Sequence, residues 1–170
     1  MADKGVNQKF SEAFGGLTMI TNGVSHIAIG VRDMDASLQF YRDLLGFDVV
    51  RDEVQETQGT VLPALYKDPH EQRRVATLYW KKGKHEAFLV LSEHSDKPVS
   101  GEPIKLDQIG IHHCAFWIEN LPQVYEELKA KGADFVVPPT VTKTKDGNFN
   151  SAFLRDPDGI LVQLDELSEE

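Results

Sequence analysis

Apolar residues recur at every second position in some stretches of the chain and at helical spacing in others. Val24–Val31 alternates and is rich in β-branched residues, which predicts a strand. Asp33 or Asp35 can cap the helix that follows, and Gly46 ends it, as glycine often does at a helix C-terminus. The apolar face of this helix consists of Leu38, Tyr41, Leu44 and Leu45.

Three further strands and one long loop are predicted between the first helix and residue 92. Phe47–Arg51 is the second strand, and 74–81 and 86–92 form a hairpin around a glycine-containing turn. Residues 52–73 are polar, contain one glycine and two prolines, and show no period. We therefore expect a long loop there, of a kind that is often functional or disordered.

The second half of the chain repeats this order of elements. A strand leads to a helix that Asn120 caps and Gly132 ends, and three more strands follow. The last two strands flank Asp156–Gly159, whose Asp-Pro-Asp-Gly sequence strongly favours a turn. The predicted elements are the strands Gly110–Ile118, Asp134–Val137, Ser151–Leu154 and Ile160–Leu164, the helix Pro122–Lys131, and a loop over Pro138–Asn148.

The two halves can be overlaid directly, since His26–Val31 matches His113–Ile118 and Leu89–Leu91 matches Val162–Leu164. A unit of one strand, one helix and three strands leaves one sheet face that its helix cannot cover. Two such units can pair around a ligand. We therefore predict an α+β fold of two paired βαβββ modules, which form an eight-stranded cup-like sheet with the helices outside. Residues 1–22 are assigned to an N-terminal arm and 23–167 to a single domain, with modules 23–92 and 109–167.

The charge, the apolar stretches and the single cysteine limit which partners and cellular locations the sequence predicts. The 18 basic and 27 acidic side chains give a formal charge of −9, which disfavours binding to nucleic acid. No stretch is long and apolar enough for a membrane span, and the first 22 residues do not have the pattern of an export signal. Cys114, the single cysteine, is expected to be a buried thiol in a reducing cytoplasm. The sequence thus predicts a cytoplasmic protein that binds neither nucleic acid nor membrane.

Four motifs carry a resemblance to a known family: His26–Met34, Ala36–Gly46, Ile111–Ile118 and Arg155–Gly159. With these motifs the chain resembles the vicinal oxygen chelate (glyoxalase/bleomycin-resistance/dioxygenase) superfamily, over nearly all of its length after residue 22. The resemblance implies a small-molecule substrate held in the cup, a divalent metal ion and a homodimer.

The metal ligands of that superfamily occupy one position on the first strand and one on the last strand of each module. Carried over to this chain, the positions are His26 and Val90 in the first module and His113 and Gln163 in the second. Since valine cannot coordinate, the resemblance implies a site of His26, His113 and Gln163 for Fe, Zn, Ni or Mn, with positions left open for water or substrate. A local bulge could instead bring in the carboxylate of Asp165.

Each candidate also has a structural interpretation. His26 and His113 could be core histidines with hydrogen-bonding partners, and Gln163 could be a hydrogen-bonded amide between modules. His112 is expected to point to the opposite face of its strand from His113, because strand side chains alternate. Four further polar residues are expected to be solvated strand ends: His85, Glu86, Glu93 and His94.

Aromatic residues are the candidates for substrate contacts. Tyr79 and Trp117 lie in predicted strands where they could line the cup, and Phe153 stands where dioxygenase-type members are expected to have a tyrosine. The loops over 52–73 and 138–149 are expected to cover the mouth of the cup.

Three activities remain open. Glyoxalase- or epimerase-type isomerisation needs a carboxylate base at a last-strand position, and Val90 and Gln163 supply none. Dioxygenase chemistry needs two histidines and one carboxylate, so the empty position at Val90 fits, although Gln163 and Phe153 replace the expected glutamate and tyrosine. A metal-free binding or resistance protein is the third. The sequence slightly favours the dioxygenase-like alternative. The chain matches the metal-ligand positions of dioxygenases better than it matches the positions of the catalytic base in isomerases.

Overall fold

The computed structural model describes residues 23–83, 86–97, 99, 101–145 and 147–167, with the side chains of 147 and 167 excepted. The predicted arm over 1–22 lies outside the described residues, as do His85 and the last residue of the predicted turn, Lys84.

The elements follow one another in the predicted order. A strand, a helix and three strands occur twice, and a short 3₁₀-helix, Leu62–Leu65, interrupts the first set. The helix of the first set begins as α-helix and continues with π-helical turns over Gln39–Leu44. The elements are β1 (His26–Val31), α1 (Met34–Leu38), β2 (Asp48–Glu56), β3 (Gln72–Tyr79), β4 (Phe88–Glu93), β5 (His113–Trp117), α2 (Leu121–Ala130), β6 (Asp134–Thr144), β7 (Gly147–Arg155) and β8 (Leu161–Leu167).

The strands form two four-stranded mixed sheets of the same topology. The first sheet has the order β1-β4-β3-β2 and the second the order β5-β8-β7-β6. In each sheet the first and last strands of the module pair in parallel, and the other pairs are antiparallel. The predicted α+β fold of paired βαβββ modules is confirmed.

The helix ends have the predicted chemistry. Of the two candidate caps, Asp33 is the one used, and its carboxylate accepts a 3.0 Å hydrogen bond from the Ala36 backbone N–H. The chain leaves the first helix at Gly46 with a φ of 79°, a left-handed conformation that favours glycine. Asn120 caps α2 and has a φ of 54°, which asparagine tolerates better than most residues.

The predicted loop over Pro138–Asn148 is wrong. These residues belong to a long hairpin, since β6 runs to Thr144 and β7 begins at Gly147. Proline is tolerated here because β6 is an edge strand, and the pairing register shifts between Val137 and Thr140. The first long loop is also shorter than expected, because β2 continues to Glu56.

Both sheets bury one face against the helices in a common core. This core contains apolar residues of all the strands except β2 and β6, together with the two helices. Cys114 is part of it, which confirms the prediction of a buried thiol. We call the opposite, helix-free side of each sheet its outer face; it is the side on which the sequence predicted the cup. No described helix is long and apolar enough to cross a membrane.

Ionic and aromatic contacts join the modules. Arg32, which follows β1, donates to the backbone and side chain of Asp158 in the turn before β8, with a shortest distance of 3.0 Å to Oδ1. Phe47 packs edge-on against Phe116 of β5, with ring centroids 5.1 Å apart. The described part of the chain therefore forms one packed unit.

Candidate functional site

We call the predicted ligand positions of each module its half-site, and the two sets lie at corresponding places on the outer faces of the two sheets. His26 begins β1 and His113 begins β5, and the last strand of each sheet pairs with them in the same register. Val90 and Gln163 accordingly occupy corresponding positions, as the overlay of the sequence halves predicted. The corresponding pairs are His26 with Phe88, Ala28 with Val90, His113 with Leu161, and Ala115 with Gln163.

His26 is an exposed residue at the edge of the first sheet. Its ring stacks on that of Phe88 at 5.2 Å between centroids, and its Nδ1 lies 3.3 Å from the Ser25 hydroxyl oxygen. The apolar packing holds one face of the imidazole, and the ring edge remains accessible from the outer side.

His113 is half-buried and lies beside a second histidine. The rings of His112 and His113 stack at 4.7 Å, and their Nδ1 atoms are 2.7 Å apart. The expectation that His112 points to the opposite face is therefore wrong. The reason is that β5 begins at His113, so the alternation of strand side chains does not extend to residue 112. Since Nδ1 of His113 faces His112, Nε2 is the nitrogen available for a ligand.

Gln163 is part of a hydrogen-bonded polar group. Its Nε2 donates to Oδ1 of Asp165 at 2.6 Å, and the Ser151 hydroxyl donates to the same oxygen at 2.6 Å. β8 pairs with both neighbouring strands without a shift of register, so no bulge moves Asp165 into the position of Gln163. The carboxylate instead fixes the amide group, with its donor nitrogen toward Asp165 and Oε1 turned away.

The three predicted substrate-contacting aromatics all lie on outer faces. Phe153 pairs with Gln163, and its ring lies 6.0 Å from that of His113. Trp117 pairs with Asp165 and is 64% exposed. Tyr79 lies on the first sheet, its ring 5.2 Å from that of Phe88. An exposed tryptophan beside a carboxylate is a suitable surface for an apolar part of a ligand.

The donor atoms suit a divalent transition metal ion, although they are divided between the sheets. Imidazole nitrogens are common ligands of zinc, iron and nickel, whereas an amide carbonyl oxygen is more usual on manganese. Among the described residues, however, no group of three or more His, Cys, Asp or Glu side chains is arranged to hold a metal ion. Of the predicted ligands, His113 and Gln163 lie on the second sheet and His26 lies on the first.

A second polar cluster was missed in the sequence. His94 follows β4, and its Nε2 is buried, so the expectation of a solvated strand end is wrong for this residue. Its ring lies 4.4 Å from that of His70, which comes from the segment between β2 and β3. A sequence pattern has no signal for this pairing, because the two histidines are brought together only by the fold of an irregular segment.

Comparison with known proteins identifies the family. Residues 23–164 match the model of the Glyoxalase/Bleomycin resistance protein/Dioxygenase superfamily. The chain belongs to this superfamily. Its topology of two equivalent βαβββ sheets and its half-sites agree with this membership.

The relatives include enzymes of two kinds. The chain is 29% identical over 146 residues to a probable lactoylglutathione lyase of Synechocystis, covering 84% of this chain and 94% of the relative. It is 26% identical over 108 residues to the mitochondrial methylmalonyl-CoA epimerase of mouse, covering 64% of this chain but only 52% of that protein. The fold is similar to that of a glyoxalase family protein from Bacillus cereus, with a TM-score of 0.69 at 17% identity, covering 89% and 100% of the two chains.

Proposed function

We propose that this protein is a metal-dependent lyase- or isomerase-type enzyme that acts on a small carbonyl compound with neighbouring oxygen atoms. The observation that carries the proposal is the equivalence of His26 and His113, one on each sheet at the same register position. The relatives named as a lyase and an epimerase support this class of reaction. They do not favour dioxygenase chemistry, so the preference drawn from the sequence is not retained.

His26, His113 and Gln163 would hold the ion. A bound divalent metal would polarise the substrate carbonyl and so make an adjacent C–H group more acidic. Asp165 would take the role of the missing carboxylate base, since it lies on the same face as Gln163 and accepts a 2.6 Å hydrogen bond from its Nε2. Trp117 and Phe153 would exclude water beside it.

A binding protein is the second candidate. Val90 and Gln163 stand where a proton-transferring member of the family has carboxylates, and neither can accept a proton. This feature favours a protein that holds a small molecule on the same surface without converting it.

We further propose that the site lies between two copies of the chain. His26 on the outer face of the first sheet is exposed, and several large apolar residues on or beside the outer face of the second sheet are exposed, among them Trp117 and Ile111, the latter at 87%. A homodimer would cover these residues and bring His26 of one copy opposite His113 of the other. The reduced, buried Cys114 is compatible with a location in the cytoplasm.

The decisive experiment combines metal analysis with proton exchange. Protein purified without added metal is loaded with Zn, Ni, Mn or Fe(II). It is then assayed with methylglyoxal and glutathione, and with methylmalonyl-CoA, in deuterated water. We expect deuterium in the product of one substrate and, for His113→Ala, a loss of metal affinity of at least about tenfold. Asp165→Asn should bind metal and fail to exchange the proton.

Two outcomes would contradict the proposal. Protein that binds none of the four ions, and whose activity none of them changes, is not a metal enzyme. Protein that binds metal without solvent exchange, but retains a small molecule, is the binding protein of the second candidate.

A further inference from the structure

A cluster of four side chains lies at the far end of the first sheet from His26. Tyr66, His70, His94 and Asp96 come from the segment between β2 and β3 and from the residues just after β4. His70 Nδ1 lies 2.7 Å from Oδ1 of Asp96, and the other oxygen of Asp96 accepts a 3.0 Å hydrogen bond from the Glu71 backbone N–H. The Tyr66 ring packs edge-on against both imidazoles, at 5.5 Å from His70 and 5.0 Å from His94.

The segment between β2 and β3 closes over the outer face at this point. Thr57 at its start donates from its backbone N–H to the carbonyl of Glu71 at 2.9 Å, and its hydroxyl donates to the carbonyl of His70. Val75, on the covered part of β3, is only 1% exposed. The segment is thus a compact loop whose ends are tied together, with the cluster beneath it.

Two polar atoms of the cluster have no hydrogen-bond partner in the described part of the chain. The hydroxyl oxygen of Tyr66 and Nε2 of His94 are buried, and neither makes a hydrogen bond to any atom of the described residues. Buried side-chain polar atoms are nearly always hydrogen-bonded, because leaving one unpaired costs about 1–3 kcal/mol. The two rings that carry these atoms are neighbours, with centroids 5.0 Å apart.

An unpaired cation lies beside them. Arg73 is the one arginine among the described residues that forms no ion pair. It is half-buried, and its guanidinium donates instead to two neutral acceptors, Gln55 Oε1 and Ser92 Oγ, both at 3.0 Å. β3 pairs Arg74 with Glu93, which brings Arg73 next to His94 on the outer face. Because neither acceptor carries a negative charge, the positive charge of this guanidinium is not neutralised and can attract an anionic ligand.

We propose that Arg73, His94 and Tyr66 form a binding site for an oxyanion, the carboxylate or phosphate group of a small molecule. Arg73 supplies the charge, and the Tyr66 hydroxyl and His94 Nε2–H supply two further donors. Asp96 acts through His70, which packs on His94 and fixes the orientation of its ring. The positive charge of Arg73 disfavours a metal ion at this position.

The site is separate from the half-site of His26. His94 lies six residues along the strand direction from Phe88, the partner of His26, which is roughly 20 Å by strand rise. The oxyanion site therefore does not depend on the proposed metal chemistry. If both proposals hold, the natural substrate carries its anionic group well away from its reacting oxygen atoms.

Titration with simple anions tests the site. Inorganic phosphate and succinate are added at constant ionic strength, and the imidazole Cε1–H resonances are followed by NMR. We expect saturable shifts of the His94 resonance with at least one of the two anions, and the stronger binder identifies phosphate or carboxylate as the natural group. Arg73→Gln should weaken this binding at least about tenfold, since a hydrogen bond to a charged group is lost.

Arg74→Gln is the matched control. Arg74 is the next residue along β3, so it points to the opposite face, and it is already paired with Asp35 and Asp52; its replacement should therefore change anion binding less than about twofold. Tyr66→Phe should weaken binding without lowering the melting temperature, because its hydroxyl makes no hydrogen bond to the described residues.

Three results would overturn the proposal. These are the absence of saturable binding by both anions, equal effects of Arg73→Gln and Arg74→Gln, and a lower melting temperature for Tyr66→Phe with unchanged binding. Protein that binds phosphate or succinate but none of Zn, Ni, Mn and Fe(II) would instead contradict only the proposed enzymatic function.

Discussion

The Tyr41 hydroxyl donates a 3.0 Å hydrogen bond to Oδ2 of Asp156 and so joins the helix of the first module to the last turn of the second. The other oxygen of Asp156 accepts from the backbone N–H groups of Asp158 at 3.0 Å and Ile160 at 2.8 Å. Burial raises the pKa of both the Tyr41 phenol and the Asp156 carboxyl group. The two residues form a buried polar connection beside the apolar core.

Tyr41→Phe should destabilise the protein by about 1–3 kcal/mol, because it removes the hydroxyl and leaves one carboxylate oxygen of Asp156 without its partner in the core. Urea denaturation followed by circular dichroism measures the change. Tyr125→Phe is the control: Tyr125 lies on α2 and is half-buried against Phe135, and its replacement should stay within about 0.5 kcal/mol. Equal effects of the two variants would argue against the connection between modules.

Acidification should destabilise the protein through His94. Burial, followed by the neighbouring His70, lowers the pKa of His94 in the folded state. Between that value and the unfolded value of about 6.5, the unfolded chain binds more protons, so stability falls as the pH decreases through this interval. His94→Gln should flatten the dependence of the unfolding free energy on pH just below about 6.5. An unchanged slope would mean that His94 titrates normally.

Cys114 should be unreactive in the folded protein. Burial raises the pKa of its thiol to about 11, and the residue is only 8% exposed. Reaction with an aromatic disulfide reagent at pH 8 should be slower than in urea by at least about a hundredfold, since both the thiolate fraction and access are reduced. Fast labelling of the native protein would show that the core opens around β5.

Gln163→Glu should increase the affinity for divalent metal ions. The change keeps the shape of the side chain and adds a negative charge to the ligand set, although Asp165 beside it raises the pKa of the new carboxyl group. We expect a gain of about tenfold or more by competition with a chelating dye. Gln163→Leu has a similar volume and should reduce the affinity. If neither variant changes metal binding, residue 163 is not a ligand.

Mixing two inactive variants should restore part of the metal binding. If the site lies between two chains, His26→Ala and His113→Ala homodimers each lack a ligand at both sites, whereas a mixed dimer has one intact site. After exchange of subunits in equal amounts, half of the dimers are mixed, so about a quarter of the sites should return. Sizing chromatography checks the dimer, and no recovery would indicate a site within one chain.

The regular elements of the fold could be predicted from the sequence, and its irregular ones could not. The caps and the end of the first helix at Gly46 depend on local chemistry: Asn120 and Gly46 are confirmed, and of the two candidates Asp33 and Asp35 the structure uses Asp33. The Pro138–Asn148 hairpin was missed, because proline is permitted in a strand only at a sheet edge, and local sequence does not tell which strand is the edge.

The candidate site divides in the same way. The duplication of the pattern determines that His26 and His113 are equivalent, because two matching strand–helix–strand units must adopt the same register. Tertiary structure alone decides what surrounds them: the Phe153 ring near His113, the Ser151 hydroxyl on Asp165, and the histidine pair beneath the loop. The physical reason is that period and propensity act over a few residues, whereas the partners of a buried polar group are chosen by packing between segments far apart in the chain.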